Sequence, residues 1–337
     1  MKVAIIGMGN VGTLRAGLVL ATPGVQLVAV YDLNSSAVTG DFCRFLVGNI
    51  SDVWRHEPDC VFICGFTDTL AAYTEEALKR GIHVFCEKPP ARSLTELRAV
   101  RNSCSVDGPV LKYGFNHRYH YSVMEAKKVL ESGELGSILW MRGVYGKAGS
   151  IDYHRNWRNF KEVSGGGILL DQGIHMLDLF QYFLGELPRV TAAHVSAMYW
   201  DIDCEDNAFL MLESEGQRVM TLHSSATHWH HKFLLEIFCE EGYVTLDGIL
   251  SSTRSYAPEK LIIGRREFEN ETFALGKPQE QIIHFERDDS WRLEVKDFFD
   301  CVATGCQPKH GNISDAMNVL TMISQAYELG GFLKTSS

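Results

Sequence analysis

Three groups of residues in this 337-residue chain have types and spacings that could do chemistry. The first is Gly7-Met8-Gly9-Asn10-Val11-Gly12, a GxGxxG run directly after the apolar Val3–Ile6. Gly7 permits a tight turn, Gly9 lets a pyrophosphate approach the main chain, and Gly12 lets a helix pack closely on its strand. A helix starting there offers unpaired N–H groups and a partial positive charge, so phosphate needs no basic side chain. Asp32 closes the next β-branched run, 20 residues past Gly12, where a carboxylate accepts hydrogen bonds from ribose hydroxyls. Alone, the glycines would be a turn and Asp32 a loop cap. Strand, helix and acid together make a dinucleotide fingerprint. Asp32 also repels a 2′-phosphate, and Leu33-Asn34-Ser35-Ser36 supplies no base to hold one, so NAD is preferred over NADP.

The second group is Glu87-Lys88-Pro89-Pro90, which follows the short apolar run His83–Cys86. Lys88 then stands at a strand's carboxyl end, the edge where doubly wound sheets bind ligands. An ammonium there can hold a substrate hydroxyl and stabilise the alkoxide that forms as hydride leaves. The plain alternative is a surface lysine paired with Glu87.

The third group is Asp171 and His175, four residues apart and so on one helical face, with Asp178 continuing the row. A histidine suits proton exchange near neutral pH, and Asp171 could orient its ring or raise its basicity. Gly165-Gly166-Gly167 just before them lacks side-chain bulk, which predicts close approach of a ligand. A solvated helix face and a metal site are the alternatives for this row. His228-Trp229-His230-His231 adds possible ligands, with His228 and His230 sharing one face of a strand. Beside Lys88 and a dinucleotide loop, metal-free hydride transfer is the more economical account. The loop Tyr153-His154-Arg155-Asn156-Trp157-Arg158 could serve substrate, because aromatic faces stack on sugar C–H surfaces and arginine grips hydroxyls or anions. Its alternative is a packed connecting loop.

These groups need elements to carry them. Strands are predicted at Lys2–Ile6, Val25–Tyr31, Cys60–Cys64 and His83–Cys86, with helices after the glycine turn and over Thr69–Arg80. That alternation predicts right-handed βαβ units and a doubly wound parallel sheet. After about residue 120 come a helix at Ser122–Ser132, a strand at Ile138–Tyr145 and a helix from Ile168 to Leu184. Val190–Phe285 is strand-rich with turn signals, which suits a large, mostly antiparallel sheet. Helices at Trp291–Thr304 and Ser314–Leu329 follow. The expected domains are residues 1–119 and an α+β domain over residues 120–337.

Composition narrows the function classes. Hydrophobic residues make up 45% and charged residues 22%, ordinary for a globular protein with an ample core. Net charge is −10, so the broad basic field that nucleic acid requires is missing. The opening MKVAIIGMGN shows no signal-peptide pattern, and no run approaches the ~18 apolar residues of a membrane span. Nine scattered cysteines without a CxxC pair read as reduced thiols, and the expectation is a cytoplasmic protein.

The segments AIIGMGNVG, ALKRGIHVFCEKP and GGGILLDQGIHMLD, with YGFNHRY at 113–119 and SGELGSI at 132–138, resemble the glucose–fructose oxidoreductase, inositol dehydrogenase and MocA (Gfo/Idh/MocA) family. The resemblance covers most of the chain. It implies a Rossmann domain followed by an α+β domain, NAD(P)-dependent oxidation of sugars, cyclitols or nucleotide-linked sugars, and a homodimer or homotetramer. By position it makes Lys88 the catalytic lysine with Glu87 beside the nicotinamide, and places Phe66 and Thr67 along the cofactor. Asp171 and His175 become the acid and histidine of the substrate site, and Asn116 and Arg118 its surroundings, to which the loop chemistry above adds Trp157 and Arg158 as substrate-binding residues. Two departures stand out. Gly65-Phe66 and Leu70 replace the family's frequent Thr-Pro and histidine, and His117 stands where a second arginine is common. The expected activity is hydride transfer between NAD and a hydroxyl or keto carbon of a small polyhydroxylated substrate, a free sugar or cyclitol. The alternatives are a nucleotide-sugar dehydrogenase or ketoreductase, an NAD-retaining glycosidase, and a non-catalytic dinucleotide sensor.

Overall fold

Five short apolar runs build the first sheet: Lys2–Ile6 (β1), Gln26–Tyr31 (β2), Cys60–Ile63 (β3), His83–Cys86 (β4) and Leu111–Tyr113 (β5). The strands pair in parallel in the order β2-β1-β3-β4-β5. β3 and β5 are buried at every position, as expected of strands covered on both faces. Helices Asn10–Leu20 (α1), Ile50–Arg55 (α2), Thr67–Lys79 (α3) and Leu94–Asn102 (α4) make the connections. β5, α2 and α4 were not predicted, although α4 carries a capping signature. Ser93 accepts from the Glu96 N–H at 3.2 Å, in the S-x-x-E pattern that starts a helix.

The computed structural model describes residues 1–270 and 272–332 and divides into two units. The first takes Met1–Phe115, Glu162–Gly165 and Trp291–Leu320. The sequence reading put everything after residue 119 in one domain; the structure instead returns most of Ser290–Thr304 (α8) to the first unit. Apolar packing explains the return. Phe298 meets the stacked rings of Phe62 and Phe85 edge-on at 5.4 and 5.6 Å, and Val295 and Phe299 join the same core.

The second unit is built on eight strands: Ile138–Gly146 (β6), Arg189–Ser196 (β7), Asn207–Glu213 (β8), Val219–Ser225 (β9), Lys232–Cys239 (β10), Gly242–Asp247 (β11), Glu259–Arg265 (β12) and Glu280–Phe285 (β13). Their order is β13-β12-β11-β10-β6-β9-β8-β7, antiparallel except for the β6–β9 pair. β10 alternates buried with half-buried residues along its length, the mark of a sheet with one face in the core. Tyr121–Glu131 (α5), the short Lys161–Ser164 (α6) and Ile174–Leu184 (α7) precede β7, and Ile313–Leu329 (α9) ends the described chain. α7 lies against β6, and Gly143 makes room for it: a Cβ there would stand 2.5 Å from Met176 Cγ. Among the described residues no helix is long and apolar enough to cross a membrane.

Candidate active site

At the end of β1 the chain turns through Gly7 at φ +89°, where a Cβ would stand 2.5 Å from the Gly65 nitrogen. At Gly12 a Cβ would come within 1.8 Å of the Gly7 carbonyl oxygen. The fold therefore requires both glycines. Gly9 differs, because no heavy atom lies within 4 Å of where its Cβ would be. That open side lies at the start of α1, whose first turn has neither a side-chain cap nor an acidic residue. Asn10 and Val11 begin this helix and Met8 is buried. The arrangement fits a pyrophosphate, held by the free main-chain donors of a helix start. Asp32 follows β2 and is fixed to the loop: Oδ2 accepts the Met8 N–H at 2.6 Å and Oδ1 the Asn34 N–H at 2.8 Å. Each oxygen keeps acceptor capacity for a ribose hydroxyl. Phe66, 41% exposed, stands just before α3, and Thr67 is buried in its first turn.

Lys88 follows β4 and is half-buried. Glu87 beside it is buried, with its side chain over Gly114, where a Cβ would come 2.9 Å from Oε2. Sequence reasoning missed the partner of this carboxylate. Arg15, on α1, donates from Nε to Glu87 Oε1 at 2.8 Å and from Nη2 to Glu294 Oε2 at 2.6 Å.

In the second unit the turn carrying Asp171 is a π-turn, Leu169–Gly173, that runs into α7. Single π-turns within helices recur at functional sites. Their wider spacing alters the simple one-face relation expected between Asp171 and His175. Asp171 lies 3.3 Å from Arg158 Nε and 3.9 Å from Lys147 Nζ, and Oδ2 accepts from Gln172 Nε2 at 3.1 Å. His175 is buried and stacks on His117. His117 reaches Asn116 Oδ1 through Nδ1 at 3.2 Å and the Tyr145 hydroxyl through Nε2 at 3.1 Å. Asn116 in turn donates to Ser290 Oγ. Burial pushes the Tyr145 hydroxyl well above its usual range, and nearby Tyr256 and Asp171 push the same way.

Three expectations for this region are corrected. The solvated-face alternative does not hold at Asp178, which is fully buried and accepts both arms of Arg118, at 2.8 and 2.6 Å. α7 is buried along most of its length, polar His175, Asp178 and Gln181 included, so this row does not face water. The three glycines serve packing rather than ligand approach. A Cβ would meet Arg92 at 2.6 Å from Gly165, the Tyr327 hydroxyl at 2.0 Å from Gly166 and the Glu205 carbonyl oxygen at 2.0 Å from Gly167. His228 and His230 do not share a strand face, because both precede β10 in a loop with Trp229 at φ +59°. Burial lowers the pKa of His228, and His230 lowers it further.

Trp157 and Arg158 form a short 3-10 turn in which the guanidinium covers the indole at 4.4 Å. The structure thus gathers Arg158 and Lys147 about Asp171, and Asn116, His117 and Tyr145 about His175, with Asp171 also close enough to Tyr145 to act on its hydroxyl. Lys147 and Tyr145 were not anticipated. Both come from β6 or the residue after it, a strand whose pattern showed burial but nothing of its neighbours.

Comparison with known proteins agrees with the fold. Residues 1–115 match the model of an oxidoreductase family with an NAD-binding Rossmann fold, and residues 123–245 match the GFO/IDH/MocA C-terminal domain. The chain is 24% identical to scyllo-inositol 2-dehydrogenase (NAD(+)) of Bacillus subtilis, over 95% of this chain and 91% of that one. It is 34% identical to D-glucoside 3-dehydrogenase of Escherichia coli, over 55% of this chain and 54% of the other. The structure of levoglucosan dehydrogenase in complex with NADH and levoglucosan superposes with a TM-score of 0.82 at 20% identity, covering 98% and 97% of the two chains. With its nucleotide-binding and C-terminal parts each matched in order, the chain belongs to the Gfo/Idh/MocA family of oxidoreductases.

Proposed function

We propose that this enzyme uses NAD to oxidise a secondary hydroxyl of a free sugar or cyclitol, or to reduce the corresponding ketone. The observation that carries the reading is Asp171 flanked by Arg158 and Lys147, a polar cluster suited to gripping vicinal hydroxyls. NAD, when bound, supplies the hydride acceptor. Gly7, Gly9 and Gly12 hold its diphosphate on main-chain donors, Asp32 its ribose, and Phe66, Thr67 and Glu87 line it. Lys88 donates a hydrogen bond to the reacting oxygen and stabilises negative charge there. His175 takes the hydroxyl proton as the carbonyl forms and returns it in the reverse direction. Asp171, Asn116 and Trp157 orient the substrate. Arg118, paired with Asp178, belongs to the same substrate-binding set.

The NAD preference is supported by Asp32, a carboxylate that repels a 2′-phosphate and is held by the Met8 and Asn34 N–H groups, and by Asn34 and Ser36 beside it, which carry no charge. We place the enzyme in the cytoplasm, in keeping with the absence of a disulfide among the described residues. We assign it a homodimeric or homotetrameric state, supported by exposed Trp140, Phe209 and Met211 on the second sheet.

The test is a panel of sugars, glycosides, inositols and nucleotide sugars offered with NAD and with NADP, followed by reduced-nicotinamide absorbance. NADH formation with a free polyol is expected. A preference for NADP or for nucleotide sugars overturns the finer assignment. Substrate cleavage without NADH accumulation points to the glycosidase reading, and NAD binding without any turnover to the sensor.

A further inference from the structure

Arg15 is wholly buried in the first unit, and the hydride-transfer scheme makes no use of it. Its Nε and Nη2 both reach Glu87 Oε1, at 2.8 and 2.7 Å, and Nη2 also reaches Glu294 Oε2 at 2.6 Å. Nη1 points to the Trp291 carbonyl oxygen at 3.4 Å. The rings of Phe85 and Trp291 each lie 4.4 Å from the guanidinium carbon. Held by two rings and two carboxylates, this side chain has almost no conformational freedom.

Stability alone is a poor reason for such a cluster. Removing one cation and two carboxylates from water costs more than packing apolar side chains into the same volume, so a buried ionic cluster is weak evidence of stabilisation. The elements it joins are more informative. Arg15 stands on the helix that opens with the glycine loop, and Glu294 comes from α8. Glu87 is the residue before Lys88. Its main chain is fixed as well: the Glu87 N–H donates to the Ile63 carbonyl at 2.9 Å, and the neighbouring Cys86 carbonyl accepts from Gly114. With side chain and backbone both held, the peptide leading into Lys88 has a rigid base.

We propose that Arg15 is a positioning residue for hydride transfer, which fixes Glu87 and thereby sets Lys88 relative to the cofactor loop. The proposal rests on the reading of Lys88 as the group that meets the reacting oxygen. It also explains why the residue is arginine. The planar fork of a guanidinium serves two carboxylates at once, which the single ammonium centre of lysine does less well.

The test is a double-mutant cycle of Arg15→Lys and Glu87→Gln, run on intact enzyme with Lys88→Ala alongside. The readouts are single-turnover hydride transfer to NAD from the polyol oxidised fastest in the panel, KM for that polyol, and NAD affinity by calorimetry. Arg15→Lys is expected to slow hydride transfer about 10-fold or more, the scale of a misplaced reacting group, with NAD affinity and KM held within about 2-fold. Because Arg15 acts through Glu87, the double variant should be no slower than Glu87→Gln alone. Multiplying losses, or a rate in Arg15→Lys within about 2-fold of wild type, overturns the proposal. If Arg15→Lys does not fold, Glu87→Asp withdraws the carboxylate by one methylene and decides the matter: a slower rate with intact NAD binding supports it, and an unchanged rate overturns it. Loss in Lys88→Ala with none in Arg15→Lys removes the positioning role alone. Retained turnover in Lys88→Ala removes the reading beneath it, and the positioning role with it.

Discussion

His117 and His175 lie ring on ring, their centroids 3.7 Å apart and their planes 13° from parallel. His117 is itself held at both nitrogens, by Asn116 and Tyr145, so one face of His175 rests on a fixed surface. The position that looked like a departure from the family pattern is thus a support for the proposed base. His117→Ala should lower kcat about 10-fold through misorientation of His175, with a smaller change in KM. His117→Phe, which keeps a flat ring, should recover part of the loss. Steady-state kinetics of both variants, with melting curves to confirm folding, provides the check, and an unchanged kcat in His117→Ala means the stack serves packing only.

Lys88→Ala should reduce kcat at least ~10²-fold, the lower end for a positioned acid–base group, while NAD affinity by calorimetry changes little. Near-wild-type turnover would refute the catalytic assignment of Lys88.

Asp32 supports both the loop and the proposed NAD preference. Replacing it with alanine removes the acceptor for the Met8 N–H as well as the partner for the ribose, so NAD should bind about 10-fold more weakly. Combining that change with Leu33→Arg should shift preference toward NADP, since a guanidinium then faces the 2′-phosphate. The ratio of kcat/KM for the two cofactors is the measurement, and a ratio that stays in favour of NAD counts against the role of Asp32 in selectivity.

Glu294 gives the fold a dependence on pH. Burial pushes its carboxyl up to about 7 despite the neighbouring Arg15, and Glu87 on the same guanidinium pushes it the same way. Between the ordinary value of 4.5 and about 7, folded protein keeps a proton that unfolded chain has lost. This group's contribution to stability therefore falls as pH rises through that interval, and the penalty is complete above it. Glu294→Gln should remove the slope, so that its melting temperature improves on wild type more above pH 7 than below 4.5. Parallel melting-temperature profiles for the two proteins would show that Glu294 is not the titrating group.

Much of this was legible in the sequence because it is local. The GxGxxG turn, the alternation of buried strands and helices, and the acid at the end of β2 each depend on a few adjacent residues, and the structure has them where periodicity placed them. Features set by contact across the sequence were not legible. Arg15 and Glu294 lie far apart in the chain, and neither shows on its own helix that it will be buried with the other. The glycine run was read for what it lacks, whereas its purpose lies in what presses against it: the Tyr327 hydroxyl and the Glu205 carbonyl come from distant segments. The row Asp171, His175 and Asp178 assumes an ideal α-helix throughout, and the π-turn Leu169–Gly173 departs from that spacing at Asp171. Even the family resemblance named Arg118 as a substrate contact without showing that Asp178 occupies its guanidinium.

The return of α8 to the first unit has a consequence for biosynthesis. Val295, Phe298 and Glu294 come from the last seventh of the chain, yet the parallel sheet needs them to complete its core and to give Arg15 its second carboxylate. A nascent chain that has made all five strands of that sheet still exposes apolar surface beside Phe62 and Phe85, and Arg15 has Glu87 but not yet Glu294. The nucleotide-binding unit therefore begins first during synthesis and is finished late, with the entire second sheet emerging in between. Such long-range closure slows folding and exposes intermediates. A fragment ending at residue 119, although it contains the whole dinucleotide fingerprint, would lack the helix that seals it.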